Sequence, residues 1–316
     1  MAPPVPAPGQ VLQIDGHAVH VQYQPAAAGG PKQPTVVLEA ALGGTSLGWV
    51  FVQRALTQTV ATLSYDRSGL GYSAAGRQPR TLDRMVEELE AVLAMTAAPA
   101  PYLLVGHSYG ALIVREFAGR HPEQTAGVIL ADPPSLAEWA HPDAAHQAKL
   151  ESGIRLSRRG MYAARCGIAQ FAAWLVSTGA LRLAAGCATL ISGGKLRTKS
   201  DFNFTPATRL PPELKPAMRW FWSRARFYQA LASQMECLPE ACRRMADAPP
   251  LDDIPLVVLS AADTPEPQRA EHEALAAVAH GVHRVAPSSG HWIPLEDPDL
   301  ILTAIRELLT PATLRL

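Results

Sequence analysis

Two side chains able to do chemistry together stand far apart in this sequence, each in a setting that frees it to act. Ser108 lies in Gly106-His107-Ser108-Tyr109-Gly110 and His291 in Ser289-Gly290-His291. A serine hydroxyl attacks only when a base takes its proton and its oxygen projects where substrate can reach it. The apolar run Tyr102 to Val105 suits a buried strand, and Ala111 to Phe117 suits a helix that begins at once. A tight turn between them places Ser108 at its apex, with Gly106 and Gly110 carrying no side chain to clash with neighbouring backbone. This is the G-x-S-x-G nucleophile elbow in its strand-turn-helix context. The base must be free to bring Nε2 to the serine, and His291, in a loop beyond the strand Val282 to Val285, meets that need. His107 is nearer in sequence but is held inside the elbow. An acid is also required, to fix the imidazole in one tautomer and to stabilise the charge it acquires.

The elements that must position these groups can be read in chain order. Val11 to Ile14 and His17 to Tyr23 alternate as two strands joined at Asp15-Gly16, with His17 and His20 as plain strand residues. Short apolar strands follow at Thr35 to Glu39 and Ala61 to Asp66. The spacing of Leu82, Met85, Val86, Leu89, Val92 and Leu93 predicts a helix capped by Thr81, leading into the nucleophile strand. This βαβ rhythm predicts an α/β fold with a mostly parallel, doubly wound sheet. From Ser135 to about Met245 the rhythm stops and helical stretches dominate, including Ile168 to Leu190 and Pro216 to Leu238. Met218, Phe221, Trp222, Ala225, Tyr228, Leu231 and Met235 recur at helical spacing, most for packing and one or two for lining a pocket. Trp222, with Trp292 beside the candidate base, is taken as a pocket candidate.

These motifs, in the order Ser, Asp, His, resemble the α/β-hydrolase superfamily, above all its serine hydrolases with a helical cap, many of them esterases. The likeness covers nearly all of the chain outside Ser135 to Met245. It implies an eight-stranded core built from residues 1–134 and 246–316, with residues 1–10 as a flexible tail and 135–245 as an inserted α-helical cap. Asp263 matches the family's usual acid, and Asp132 is the alternative that some relatives use. The loop Ala40 to Trp49 occupies the family's oxyanion position. The implied donors are the backbone N–H groups of Leu42 and of Tyr109, the residue after the nucleophile. Many relatives carry His-Gly where this chain has Ala40-Ala41, so the register of the first donor is open by a residue. The loop Asp66-Arg67-Ser68-Gly69-Leu70-Gly71-Tyr72-Ser73 is also familiar from the superfamily. The usual strand order puts Glu39 and Arg67 at the same ends of neighbouring strands, so the two are expected to pair, since a half-buried carboxylate needs a cation or donors.

Composition narrows the partners. Lys+Arg 28 against Asp+Glu 28 leaves no net charge, hence no electrostatic footprint for nucleic acid or an anionic membrane. A small, uncharged molecule is the expected partner, with no metal and no organic cofactor implied. Cys166, Cys187, Cys237 and Cys242 are too few and scattered for a disulfide framework or a zinc site. Phe171 to Leu181 is strongly apolar, yet Gly179 and Arg182 interrupt it before the ~20 residues a bilayer span needs. The proline-rich start lacks the basic and apolar regions of a signal peptide, which favours a cytoplasmic enzyme. The expected activity is hydrolysis of a small, largely apolar carboxylic ester through an acyl-enzyme. Amidase or aminopeptidase, lactonase and carbon-carbon bond hydrolase chemistry remain open on the same triad, as does a receptor that binds without turnover. An aminopeptidase would need carboxylates by the pocket, for which Glu213, Glu236 and Glu240 are the candidates.

Overall fold

The computed structural model describes residues 3–27, 33–57, 59–168, 208–251 and 253–310. The expected helix from Ile168 to Leu190, the apolar run within it and Cys187 fall outside them, save Ile168 itself.

Eight strands form one sheet: β1 (Gln10–Ile14), β2 (His17–Gln24), β3 (Thr35–Glu39), β4 (Thr62–Tyr65), β5 (Tyr102–His107), β6 (Thr125–Ala131), β7 (Leu256–Ala261) and β8 (Val282–Ala286). Their spatial order is β1-β2-β4-β3-β5-β6-β7-β8. β2 runs antiparallel to both β1 and β4, and every other pairing is parallel, as the βαβ rhythm predicts. Strands β3 and β5 to β7 are covered on both faces, which is why they read as continuous apolar runs rather than as alternations.

Helices α1 (Val50–Leu56), α2 (Leu82–Thr96) and α3 (Tyr109–Arg120) follow β3, β4 and β5. The predicted stripe of α2 is buried in full, and the Thr81 hydroxyl caps its first turn by accepting from the Arg84 N–H. That stripe packs with Leu112, Ile113 and Phe117 of α3 on one face of the sheet. Val52 and Leu56 of α1 lie on the other, with Ile301, Ile305 and Leu308 of the last helix, which spans Pro298–Leu308.

Between β6 and β7 the described residues form helices only. These are α4 (Leu136–Ala140), α5 (Ala144–Arg165), α6 (Lys215–Trp222) and α7 (Ala225–Ala246). After β7 come α8 (Glu266–Val278), α9 (Ile293–Glu296) and α10 (Pro298–Leu308). The helical stretch from Pro216 to Leu238 is made of two helices, broken at Ser223-Arg224, where Arg224 takes an extended conformation. Among the described residues no helix is long and apolar enough to cross a membrane.

The proline-rich start is tied to the fold rather than hanging free. The Tyr72 hydroxyl donates to the Val5 carbonyl at 3.2 Å, and His20 Nε2 donates to the Pro8 carbonyl. His20, expected as a plain strand residue, is fully buried, with its Nδ1 2.8 Å from Asp66 Oδ2. Asp66 also accepts from the Ser46 and Tyr72 N–H groups at 2.7 and 2.9 Å. It thereby links the loop after β3 to the loop after β4.

Candidate active site

β5 ends at His107 and α3 starts at Tyr109, so Ser108 makes the whole turn, at φ 52° and ψ −120°. That region is costly for any residue with a side chain, and it persists here because the surroundings enforce it. A Cβ on Gly106 would stand 2.6 Å from the Gly110 carbonyl oxygen, and one on Gly110 would stand 2.5 Å from that of Glu39. Both glycines are therefore demanded by backbone approach. The second contact also sets the start of α3 directly against the end of β3 and the loop that follows it.

His291 lies beyond β8, and its Nδ1 is 2.6 Å from a carboxylate oxygen. The carboxylate is that of Asp132, at the end of β6, not Asp263. Asp132 is buried at φ 47°, and its N–H donates to the Leu259 carbonyl at 2.7 Å. Its Oδ2 faces His291, while Oδ1 accepts from the Thr264 hydroxyl at 2.6 Å and the Ala261 N–H at 3.2 Å. Burial works against the charge on this carboxyl, but the His291 hydrogen bond and charge, with the Thr264 and Ala261 donors, outweigh it and hold its pKa below the usual value. Asp263 is exposed in the turn into α8, and its side chain makes no hydrogen bond among the described residues. The end of β7 and the loop after it thus supply donors to the Asp132 carboxylate, while Asp263 makes no bond to His291.

Because a carboxylate only accepts, His291 Nδ1 carries a proton, so in the neutral imidazole the basic nitrogen is Nε2. His107 helps to hold that ring in place. Its Nε2 lies 2.7 Å from the His291 carbonyl oxygen, so it must be the donor, and the two rings stand 5.0 Å apart. Burial, then the nearby His291, pushes the His107 pKa down to about 3, leaving it a neutral strut. Glu296, at the end of α9, accepts from the Gly290 N–H at 2.7 Å and the Ser289 hydroxyl at 3.3 Å. Neither strut carries a local sequence signal, since each bond depends on where distant segments meet.

Leu42 lies in the turn after β3 and Tyr109 is the first residue of α3. An N–H in the first turn of a helix has no partner within the helix, and the helix dipole favours negative charge there. Glu39 and Arg67 pair as expected, both buried, with Arg67 Nη1 donating to Glu39 Oε1. A cavity of about 530 Å³ adjoins this region, with Leu42 and Trp292 in its wall. Helices α5, α6 and α7 complete the wall with Leu156, Phe221, Trp222, Leu231 and Met235 among others, so both tryptophan candidates line it. No Asp, Glu, Lys or Arg is among the described residues that line it. Among the described residues, no cluster of three or more His, Cys, Asp or Glu could hold a metal.

The chain is 37% identical over 120 residues to the uncharacterized protein YqjL of Bacillus subtilis, covering 38% of this chain and 46% of that one. It is 38% identical over 104 residues to the putative carbamate hydrolase RutD of Klebsiella pneumoniae, covering 32% and 38%. The matched stretch thus spans less than half the length of these relatives. Among solved structures, a thermophilic esterase from Thermogutta terrifontis superposes with a TM-score of 0.61 at 19% identity, over 96% of this chain and 100% of the other. The enol-lactonase of Burkholderia xenovorans LB400 gives 0.62 at 19%, over 95% and 99%. At that identity the likeness is one of fold. Residues 36–304 match the model described as the Alpha/beta hydrolase family, and the chain belongs to that family.

Proposed function

We propose that the protein is a serine hydrolase that cleaves a neutral, largely apolar carboxylic ester through an acyl-enzyme. The hydrogen bond from His291 Nδ1 to the buried Asp132 carries this reading, because it fixes the tautomer of the neutral imidazole whose basic nitrogen is Nε2, the one needed to activate the strained Ser108. His291 takes the hydroxyl proton as Ser108 Oγ attacks the ester carbonyl, and Asp132 stabilises the imidazolium that forms. The N–H groups of Leu42 and Tyr109 receive the oxyanion. His291 then gives its proton to the leaving alcohol, and a water activated by the same base releases the acid. Helices α4 to α7 act as the cap over residues 135–245, and their apolar cavity favours an uncharged acyl or alcohol group.

The aminopeptidase alternative loses its support. Glu213 pairs with Arg54, Glu236 with Arg158 and Glu240 with Arg243, and none of the three lines the cavity. No carboxylate among the described lining residues is left to hold a substrate ammonium.

The test is steady-state hydrolysis of p-nitrophenyl esters of increasing acyl length by wild type and Ser108→Ala. The expected loss in the variant is about 10³-fold or more at an unchanged melting temperature. Equal turnover by both proteins removes Ser108 from the mechanism. Tight ester binding without turnover by wild type replaces the enzyme with a receptor.

A further inference from the structure

Arg67 does more than neutralise Glu39. Its side chain has no exposed surface and that of Glu39 has 1%. A buried ion pair is weak evidence for stability, because removing two charges from water costs about as much as their attraction returns. The other bonds of the guanidinium account for it better. Nη1 donates to the Ala40 carbonyl at 2.6 Å, and Nη2 donates to the Ala41 carbonyl. The Gly44 N–H also donates to the Ala41 oxygen, at 2.8 Å.

The Ala41 carbonyl shares its peptide plane with the Leu42 N–H. The described cis bonds are Gln78-Pro79 and Ala100-Pro101, so the Ala41-Leu42 bond is trans. In a trans peptide the C=O and N–H point in opposite directions. Two donors pinning the Ala41 oxygen toward Arg67 therefore turn the Leu42 N–H away from it. That N–H has no acceptor among the described residues, and Leu42 stands in the cavity wall. A cation on the carbonyl side also polarises the peptide and strengthens its N–H as a donor.

The geometry points to Arg67 as the positioning residue of the oxyanion hole, clamping the Ala41-Leu42 peptide so that its N–H faces the reacting carbonyl. Glu39 neutralises the clamp and holds its fork in plane. This rests on the reading of Ser108 as nucleophile and the Leu42 N–H as oxyanion donor. Arg67 touches no reacting atom and acts through the peptide.

Lysine keeps the charge but lacks the planar fork that grips both carbonyls. The test compares wild type, Arg67→Lys and the double variant Glu39→Met/Arg67→Met, which removes both charges together and so leaves neither unpaired. The first readout is the rate constant for labelling Ser108 with a fluorophosphonate, whose phosphoryl oxygen needs the same donors and which requires no known substrate. The second is kcat and KM on the best p-nitrophenyl ester. A folded variant is expected to label about 10²-fold more slowly and to lose kcat by a similar factor, with KM within threefold. The double variant serves where Arg67→Lys does not fold. Labelling of a folded variant within threefold of wild type overturns the clamp and leaves the nucleophile standing, as does a raised KM with kcat retained. A wild type that neither labels nor turns over ester overturns both readings.

Discussion

The loops after β6 and β7 each carry an aspartate just past a buried parallel strand, yet only one meets the histidine. Asp132 is the first residue beyond β6 and is still held by the sheet through its N–H to Leu259. Its carboxylate collects three donors. Asp263 lies two residues beyond the end of β7, in the exposed turn toward α8. Residue type and strand-end position are the same for both. What differs is the supply of donors, and a buried carboxylate without them could not stay ionised. The end of β7 and its loop are the donor side of this arrangement, through Ala261 and Thr264, so the two strand ends form one unit.

Four substitutions or titrations break or sharpen that contrast. Asp132→Asn should lower kcat by about 10³-fold or more in the p-nitrophenyl ester assay, because the amide no longer enforces the tautomer with a free Nε2. Acid titration comes next. The pKa of Asp132 is depressed in the folded protein, so its contribution to stability is full above the ordinary carboxylate value of 3.8 and is lost as pH falls through the lower folded value. Denaturant unfolding of wild type and Asp132→Asn should therefore show a gap that narrows as pH falls below the ordinary value of 3.8 and is closed once pH passes below the lower folded value. Thr264→Val removes one charge-assisted donor while keeping shape, and should cost ~5-fold in kcat and on the order of 1 kcal/mol in stability. Asp263→Asn should change kcat by less than about twofold, as befits an exposed carboxylate. A larger loss there than in Asp132→Asn would reverse the comparison.

The elbow and the Gly290-His291 loop are legible in the sequence because their signals are local: two glycines around Ser108, a strand before it and a helix after it, and a Gly-His pair beyond a strand. Strand order and the α2 stripe follow from patterns a few residues long. The carboxylate that meets His291 is not legible in the same way. Asp132 and His291 are 159 residues apart, and the Asp132–Thr264 bond spans 132. Which strand end collects donors is decided by the register of β6 against β7, and no short pattern encodes that. The contacts of His107, Glu296 and His20 are illegible for the same reason. Each looks like an ordinary strand or helix residue until a carbonyl, an N–H or a carboxylate from another segment arrives beside it. Arg67 lies between these cases, since its pairing with Glu39 follows from strand order but its hold on the Ala40 and Ala41 carbonyls does not.

The position of Asp132 also orders events during synthesis. Ser108 and Asp132 belong to a single β5-α3-β6 unit, whose contacts are close in sequence and can close early. Under the proposed roles, the nucleophile and its acid are in place while the base is not yet made. At ordinary translation rates His291 follows Asp132 after about ten to thirty seconds. The last strand, β8, must then join β7 before the His291 loop can dock on His107 and Asp132. A growing chain thus carries its serine at the ribosome without the means to activate it, and hydrolysis begins only once the C-terminal part of the sheet has closed.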